Sequence, residues 1–515
     1  MSEIFSYDKL PYPSKFFVQT FPDRLAVNAT LFGMQPADPA TCSMLELGCG
    51  NGSNLIAQAY IMPDARFVGI DLGKGHIDDA IAAAAELGLT NVEFRQMDVM
   101  EMSRADFGTF DYITAHGLFS WVPDFVRVRV LELYSELLNE QGVGYISYSA
   151  YPGAHQREIT QRAMRFASRG IDDPVAKVNR AMSFLQFAAA STTDRGMYRA
   201  VFDSELKRHS THDAADIFHD DLSDLNTPFY FHNFAERLAA NGLQFLAEAE
   251  LHAMGTNDLP PQAREFINSL SDIVEREQYL DILRGRAFRQ TLFVHEGLEL
   301  SREYPPTVLD KFKLVSSLSP VSTDPDLTSL KPERFVSAKV QGIEIDRPLA
   351  KTALSKLSSQ WCKAVPFTDL ISESISELKN AGADIEDVDA ETDIVRQMFL
   401  QIIFSSDMIE PHLFQPDYKA EITDKPRVSN LIRWQMKNAT NVLTGLGVDM
   451  KIEDSISRRM LELLDGKRTK GAVLDEIGKY IRSSHEIEGK KELLKTLPEW
   501  FDESLKKLHQ IGAFE

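Results

Sequence analysis

The stretch Met44-Leu45-Glu46-Leu47-Gly48-Cys49-Gly50-Asn51-Gly52 decides the fold of this 515-residue chain. Apolar residues and one acid lead into three glycines at alternate positions. An apolar-periodic segment from Leu55 to Ile61 follows, with Ser53 as its predicted N-cap. The pattern predicts a strand, a tight turn and a helix. Because glycines supply positive φ and let the backbone approach a ligand, a nucleotide-type pocket is predicted at the carboxyl end of the first strand.

The spacing of the glycines indicates which nucleotide this pocket binds. A dinucleotide fingerprint needs a glycine three residues after Gly50, where this chain has Ser53. Instead, Glu46 lies two residues before the first glycine. This arrangement resembles the class I S-adenosylmethionine-dependent methyltransferases, whose first motif is an acid followed by GxGxG. The resemblance implies S-adenosylmethionine as cofactor, since a carboxylate suits its ammonium and sulfonium charges, whereas a pyrophosphate would need positive charge. The residues predicted to bind it here are Glu46, Gly48, Cys49, Gly50 and Gly52.

A second predicted strand, Arg66 to Asp71, ends in an acid 19 residues after Gly52. At the carboxyl end of this strand, the Asp71 carboxylate can accept both ribose hydroxyls, with Leu72 beside it. The alternative role for Asp71 is an N-cap of the helix predicted from Lys74 to Leu87. The two roles are compatible.

A third predicted strand, Asn91 to Gln96, leads to Asp98 and Val99. In the methyltransferases that the chain resembles, an acid at this place accepts the adenine amino group and the next backbone amide reaches the ring. The resemblance therefore implies that Asp98 and Val99 contact the adenine. The alternative is an ordinary turn carboxylate.

The acceptor side of the pocket is predicted from the fourth strand, Phe110 to Ala115, and the fifth, Tyr145 to Ser149. His116 ends the fourth strand and should face the transferable methyl group, where it contacts the cofactor and takes a proton or orients the acceptor. It would do neither as a packed loop residue. Three aromatic residues could wall an acceptor channel and attract a cation, or could be core residues instead: Trp121, Tyr148 and Tyr151.

Strands alternating with helices predict an open, doubly wound α/β sheet of the Rossmann-like methyltransferase class. The sixth and seventh strands are predicted at Leu243 to Ala247 and at Arg289 to His295, with a smaller insertion near 252–288. Tyr7 to Ser14 is predicted as an extended arm. The predicted domains are 1–154 for cofactor binding, 155–225 as a helical lid or dimerisation insertion, 226–300 as the closing part of the sheet with the regulatory domain, and 301–515 as a substrate-docking region.

The C-terminal region begins with a predicted linker from Tyr304 through the Ser-, Thr-, Pro- and Asp-rich segment Ser316 to Lys331. Beyond it, a strand and helix pattern at Ile343 to Leu349 recurs at Met450 to Ile456, and each copy resembles a winged-helix unit. The region is not basic, which favours protein docking over DNA binding. A chain cut near Ser319 is predicted to fold and to bind cofactor.

Composition restricts the function and location. The net charge is -21, and residues 1–156 contain 9 Lys+Arg against 19 Asp+Glu, a net of -10. A chain this acidic is a poor ligand for nucleic acid. Three scattered cysteines, together with the lack of a signal peptide or membrane span, predict a cytoplasmic protein without membrane insertion. His209, His212 and His219 are predicted as surface histidines, and no metal site is predicted.

Further segments make the chain similar to bacterial methyltransferases that carry a methyltransferase regulatory domain, the group that includes the rickettsial outer-membrane-protein lysine methyltransferases. These segments are Tyr12-Pro13 with Pro22 to Ala26, Leu45 to Gly52, Phe67 to Leu72, His116 to Pro123, Ser147 to Gly153, Phe229 to Glu250 with Arg289 to Leu292, and more loosely Leu461 to Leu474. One departure is Ser149, where asparagine is expected.

The resemblance implies a protein lysine N-methyltransferase, commonly a homodimer, whose C-terminal domains help to hold a large substrate. Two other functional classes remain open from the sequence. One is a methyltransferase that acts on a small molecule or a lipid, and the other is a cofactor-binding regulator without turnover. The long C-terminal half favours the first class, because a small substrate needs no docking surface of that size.

Overall fold

The computed structural model describes residues 10, 15–210, 212–337, 342–383, 385–418, 420–485 and 487–515. Apart from Leu10, the predicted arm from Tyr7 to Ser14, with its Tyr12-Pro13 pair, lies outside the described residues.

A seven-stranded sheet forms the centre of the N-terminal part, with strand order β3-β2-β1-β4-β5-β7-β6. The first five strands are parallel, whereas β7 is antiparallel to both of its neighbours. This topology confirms the predicted fold class. The strands are β1 (Ser43–Leu47), β2 (Arg66–Asp71), β3 (Val92–Gln96), β4 (Phe110–Ala115), β5 (Leu138–Ser149), β6 (Leu243–Glu248) and β7 (Phe288–His295).

Helices connect these strands and cover both faces of the sheet. Because β1 and β4 are central and buried on both faces, most of their side chains are apolar, as is usual for parallel strands. The helices of this part are α1 (Pro22–Leu31), α2 (Ser53–Ile61), α3 (Lys74–Leu87), α4 (Arg104–Phe107), α5 (Asp124–Leu137), α6 (Ala154–Ala167), α7 (Pro174–Ser191), α8 (Met197–His209), α9 (Ala214–Asp216), α10 (Phe231–Ala239), α11 (Pro261–Ser269) and α12 (Ile273–Arg284). Short 3-10 helices lie at Val18–Thr20, Val99–Glu101, Phe119–Trp121 and Leu251–Met254.

The segment predicted as a helical insertion consists of α6 to α9 followed by a π-helical turn at Ile217–Asp221. The prediction that its histidines lie on the surface was wrong for two of them, because His209 and His219 are only 4% and 3% exposed. His209 lies with Glu205 and Asp221 in a buried cluster whose possible ligand atoms are within 4.8 Å of one another. The Arg208 guanidinium supplies the cation there, at 2.8 Å from Glu205 and 2.6 Å from Asp221. The cluster joins α8 to the π-helical turn.

The C-terminal part is rich in helices and contains three small antiparallel sheets. A strand is followed by helices near both predicted repeat copies, at β11 with α13 and at β15 with α17. The strands are β8 (Lys313–Ser316), β9 (Ser319–Pro320), β10 (Glu333–Val336), β11 (Gly342–Ile345), β12 (Val365–Pro366), β13 (Ile409–His412), β14 (Asn441–Leu443) and β15 (Asp449–Lys451). The helices are α13 (Pro348–Ser359), α14 (Phe367–Asn380), α15 (Val388–Ser405), α16 (Asn430–Gln435), α17 (Ser455–Leu463), α18 (Lys470–Ser483) and α19 (Lys490–Gln510), with a 3-10 helix at Pro306–Lys311.

The structure corrects the prediction of a linker that can be cut near Ser319. Strand β8 lies between β12 and β13, which come from residues 365–366 and 409–412. Buried Leu309 and Leu314 belong to one apolar core that runs from α1 into the C-terminal helices. A chain cut at this position would therefore expose apolar residues and an unpaired strand edge. Within the described residues, no helix has both the length and the apolar character needed to cross a bilayer.

Candidate cofactor and acceptor site

The turn between β1 and α2 is held by the neighbouring strand β2. The amides of Gly48 and Cys49 both donate to the Ile70 carbonyl, at 2.8 and 3.0 Å. The three alternating glycines have positive φ, at 74°, 54° and 73°, which L side chains rarely adopt. Helix α2 begins at Ser53 with Gly52 as its N-cap, so the prediction of Ser53 as N-cap was wrong.

Four backbone amides of this turn are already used within the protein. Besides the two that bond Ile70, the Gly50 amide donates to Asp71 at 2.9 Å and the Gly52 amide donates to the Cys49 carbonyl at 3.0 Å. A pyrophosphate would need such amides to be free and aimed at it. The turn is therefore unlike a dinucleotide site, in agreement with the glycine spacing. A Cβ at Gly50 would meet nothing within 4 Å, so a ligand can approach the backbone there.

Asp71 ends β2 and links two loops of the site. One carboxylate oxygen accepts from the Gly50 amide at 2.9 Å, and the other accepts from the Gly73 amide at 2.8 Å, just before α3. The half-buried carboxylate thus fixes the glycine turn against the start of the next helix. A carboxylate has about four lone-pair sites, so capacity for ribose hydroxyls remains. The neighbouring Leu72 is 41% exposed.

Asp98 follows β3 and caps the 3-10 helix that begins at Val99. Its carboxylate accepts from the Met100 amide at 2.9 Å. This contact corresponds to the alternative of a turn carboxylate, and it leaves the second carboxylate oxygen for another donor. The adenine roles of Asp98 and Val99 stay predictions.

Glu46 on β1 has the properties expected of a residue that binds a cationic group of a ligand. It is 3% exposed, and one carboxylate oxygen accepts from Asn54 at 2.8 Å. Its other oxygen is buried and has no hydrogen-bond partner among the described residues. Burial raises the pKa of Glu46 to about 8, against the lowering effect of the Asn54 hydrogen bond and with a further rise from the charge of Asp71. A nearby ammonium or sulfonium would stabilise the carboxylate, so the residue fits the predicted cofactor.

The segment that precedes α1 covers this side of the turn, which the sequence analysis missed. Asn54 accepts from the Phe17 amide at 2.9 Å and donates to the Thr20 hydroxyl at 3.0 Å. The Phe17 ring stacks on His116 with 3.7 Å between ring centroids. Phe17 is 37 positions from Asn54 and 99 positions from His116, so local sequence periodicity carries no signal for these contacts.

His116 lies at the end of β4, as predicted, between Phe17 and Tyr145. Its Nδ1 is 2.8 Å from the Tyr145 hydroxyl. Part of the ring is accessible, yet burial lowers the pKa of His116 to about 3, assisted by the charge of Lys15. The imidazole is therefore neutral near pH 7. It can hold a hydrogen bond and adds no positive charge next to a cationic donor.

Tyr148 matches the alternative of a core residue and not the predicted acceptor role. It is fully buried, stacks on Phe234 at 4.3 Å and bonds the Thr291 hydroxyl at 3.3 Å. Side chains of a strand alternate between faces, so Tyr148 points away from the face of β5 that carries Tyr145. Tyr145 is the tyrosine that contacts His116, and the pairing register of β4 with β5 places it there.

The remaining two aromatic residues lie near the ends of β4 and β5. Trp121 is half-buried in the 3-10 helix Phe119–Trp121. Tyr151 is half-buried, stacks on His155 at 4.0 Å and donates to Glu158 at 2.7 Å. Burial and the Glu158 bond raise the pKa of Tyr151 to about 12. Their roles in an acceptor channel stay predictions.

Comparison with known proteins agrees with this geometry. A methyltransferase domain family matches residues 39–188, and a predicted methyltransferase regulatory domain matches residues 213–295. A third family, described as the PKMT C-terminal winged helix domain, matches residues 424–512. The second predicted repeat copy lies within this last match.

Two uncharacterised proteins of Rickettsia prowazekii (strain Madrid E) are relatives. One is 28% identical over 518 residues, covering 97% of this chain and 92% of the relative. The other is 32% identical over 233 residues, covering 45% of this chain and 93% of the relative.

Solved structures of PKMT2 from Rickettsia typhi are similar to this chain over nearly its whole length. The complex with AdoHcy has a TM-score of 0.86 at 25% identity, and the match covers 98% of this chain and 100% of PKMT2. The structure described without AdoHcy has the same TM-score and coverage at 26% identity. The similarity includes the C-terminal part as well as the sheet.

Proposed function

We propose that this chain methylates lysine side chains of a protein. The premise is that it belongs to the class I S-adenosylmethionine-dependent methyltransferases with a methyltransferase regulatory domain. The observation that carries the proposal is the similarity to PKMT2 through both the sheet and the C-terminal winged helix domain. A large C-terminal half fits a large substrate better than a small molecule.

The cofactor is S-adenosylmethionine, which supplies an electrophilic methyl group when bound. We propose that the turn from Glu46 to Gly52 holds its methionine end and that Asp71 and Asp98 bind ribose and adenine. Glu46 meets the cationic groups, because its unpartnered oxygen is buried beside the turn. These roles follow the family motif residue by residue.

Methyl transfer requires mainly that the protein align the methyl donor with the acceptor. Such positioning alone can give effective molarities of about 10⁵–10⁸ M. The acceptor amine must be neutral when it reacts. Phe17, His116 and Tyr145 give it surroundings with little water, and the charge of Lys15 acts near His116; both effects disfavour an ammonium. We assign His116 the role of orienting the acceptor through a hydrogen bond, because its low pKa makes it a weak base.

The replacement Asp71→Ala is expected to weaken binding of S-adenosylhomocysteine by about 10- to 100-fold, since charge-assisted hydrogen bonds are worth about 1.5–3 kcal/mol. Loss of the Gly50 and Gly73 contacts adds to the effect. Isothermal titration calorimetry measures it. Asp111→Ala is the control, because Asp111 bonds Ser43 and Asn139 at the other end of the sheet. An unchanged dissociation constant in a folded Asp71→Ala protein would remove Asp71 from the ribose role.

The pKa of Glu46 predicts a pH dependence of cofactor binding. Near pH 6 the carboxyl is protonated in the free protein, so a cationic ligand must displace the proton. Affinity should therefore rise with pH, by about 20-fold between pH 6.0 and 7.5, and should level off above about pH 8. Calorimetry at several pH values, in buffers of different ionisation enthalpy, measures both the affinity and the released proton. Glu46→Gln should flatten this dependence. A wild-type affinity that is independent of pH would contradict the assignment.

We further propose a cytoplasmic homodimer that does not bind nucleic acid. The three cysteines are buried and unpaired, which suits a reducing compartment. Helices α6 to α8 carry exposed apolar residues, with Phe166 65%, Phe187 64% and Met197 81% exposed, and such residues favour the insertion as a dimer surface. Sedimentation of the wild type and of Phe187→Lys tests this, because a dimer through the insertion should dissociate in the variant.

The proposed activity can be tested by incubating the purified chain with methyl-labelled S-adenosylmethionine and a cell lysate. Label in protein that is recovered as methyllysine after hydrolysis supports the proposal. Label in solvent-extracted small molecules would favour the alternative of a small-molecule or lipid methyltransferase. Cofactor binding without any transferred label would favour a non-catalytic regulator.

A further inference from the structure

A small cavity of about 170 Å³ lies where β5 ends and α6 begins. Three arginines of α6 line it together with Ser149 and Asn226: Arg157, Arg162 and Arg165. Arg157 and Arg165 are eight residues apart, so they share one face of the helix. The cavity therefore concentrates guanidinium groups in a chain whose net charge is -21.

The cavity is next to the acceptor side of the site. The Ser147 hydroxyl accepts from the Gly117 amide at 2.9 Å, beside His116. Ser149 lies two residues further along the same face of β5, and its amide donates to the Ser120 hydroxyl at 2.9 Å. Two residues of a strand span about 7 Å. A peptide whose lysine reaches His116 could therefore place a neighbouring side chain in the cavity.

The arginines are incompletely neutralised. Arg157 makes no hydrogen bond or ion pair through its side chain within the described part of the chain. Arg162 lies 3.6 Å from Glu158, a carboxylate that also accepts from Tyr151, and Arg165 donates to the Ser223 carbonyl at 2.7 Å. The cavity lining contains three guanidiniums against the two carboxylates Glu158 and Asp224.

Two carboxylates beyond the cavity lining are already engaged. Arg208 binds Glu205 and Asp221, which are two of the three acids whose charges act on Arg157, and the third is Asp220. Burial and the charge of Arg208 lower the pKa of Arg157. A half-buried guanidinium without a partner is unfavourable, and an anion in the cavity would relieve this.

We propose that Arg157, Arg162 and Arg165 form a subsite for the carboxylate of an aspartate or glutamate that lies close in sequence to the methylated lysine of the substrate. The inference rests on the proposed protein lysine methylation. Arginine binds carboxylates in bidentate geometry, so the subsite selects an acidic side chain near the target and helps to fix the register of the peptide.

The test uses the full chain, methyl-labelled S-adenosylmethionine and a peptide library with one central lysine and randomised flanking positions. We expect methylated products of the wild type to be enriched about 10-fold or more in aspartate or glutamate at one flanking position. Arg157→Gln and Arg165→Gln should reduce the enrichment to less than about 2-fold. For a peptide with the preferred acid, KM should rise while kcat stays unchanged. Arg195→Gln removes an exposed charge from the loop between α7 and α8 and should retain the preference.

The outcomes separate the two proposals. Lysine methylation with the same flanking preference in the wild type and in both glutamine variants would overturn the subsite and leave the activity standing. No lysine methylation by the wild type would overturn the proposed function, and the subsite with it. Arg157→Glu that prefers lysine or arginine at the same position would support the subsite, provided its affinity for S-adenosylhomocysteine is unchanged.

Discussion

Replacing Gly52 with alanine is expected to abolish measurable cofactor binding and to lower the free energy of unfolding of the sheet domain by about 3 kcal/mol. Its φ of 73° alone costs an alanine about 1–2 kcal/mol. An added Cβ would lie 2.6 Å from the Phe94 ring and 2.8 Å from the Ala80 Cβ, which forces the turn to move. Glu46 and Asp71 are attached to this turn, so the movement would displace the cofactor groups as well.

Gly88→Ala is the matched control for this prediction. Gly88 also has positive φ, at 69°, but a Cβ there meets nothing within 4 Å. It should suffer the backbone cost alone and bind S-adenosylhomocysteine as the wild type does. Thermal unfolding and calorimetry of both variants measure the difference. Equal stability and equal affinity of the two variants would contradict the argument that the turn must stay in place.

Replacing Arg289 with methionine should destabilise the end of the sheet by about 3–5 kcal/mol, the cost of breaking a buried ion pair. Arg289 is 1% exposed and contacts Glu248 at 2.6 Å, Glu277 at 3.0 Å and Asp281 at 2.8 Å. Its guanidinium also lies 3.9 Å above the Phe231 ring centroid. Without it, three buried carboxylates would share Arg286 alone.

The defect should depend on pH. Burial raises the pKa of Glu277 and Asp281. At Glu248 burial also acts to raise the pKa, but the charges of Arg289 and Arg286 and the hydrogen bonds from Gln290 and Thr291 together outweigh it and hold the pKa below the usual range. In the variant all three folded-state pKa values rise above the unfolded ones. The protonated acids then favour the folded state at low pH, and that stability is lost as pH rises through the folded pKa values. The difference from wild type should therefore be smaller at pH 5.5 than at pH 8.0.

Hydrogen exchange of the β6 and β7 amides measures this local stability. Arg302→Met is the control, because Arg302 is partly buried and, among the described residues, its hydrogen bonds go to the carbonyls of Phe245 and Leu246. It leaves no buried carboxylate behind, so its smaller defect should not change with pH. A pH-independent defect in Arg289→Met would show that lost packing, and not uncompensated charge, dominates.

The sequence by itself determined the sheet and the position of the cofactor turn. Buried parallel strands are recognised in the sequence as short apolar runs and helices by a period of 3.6, so β2, β4 and α3 begin and end where the pattern predicts. The turn could be predicted because Glu46 and its three glycines lie within nine consecutive residues. The sixth and seventh strands could likewise be predicted, despite two insertions, since each contains a short apolar segment.

Only the tertiary structure decided which residues meet across those elements. Phe17 covers His116, Arg208 neutralises a cluster with the buried His209, and β8 pairs with strands about 50 and 95 residues later in the chain. Tyr145, and not Tyr148, faces the site because strand parity is fixed by the partner strands. These contacts depend on long-range packing and burial, for which a single sequence carries no periodic signal. The cofactor-binding half of the site could thus be located from local sequence, whereas the acceptor half around His116 depends on packing between distant segments.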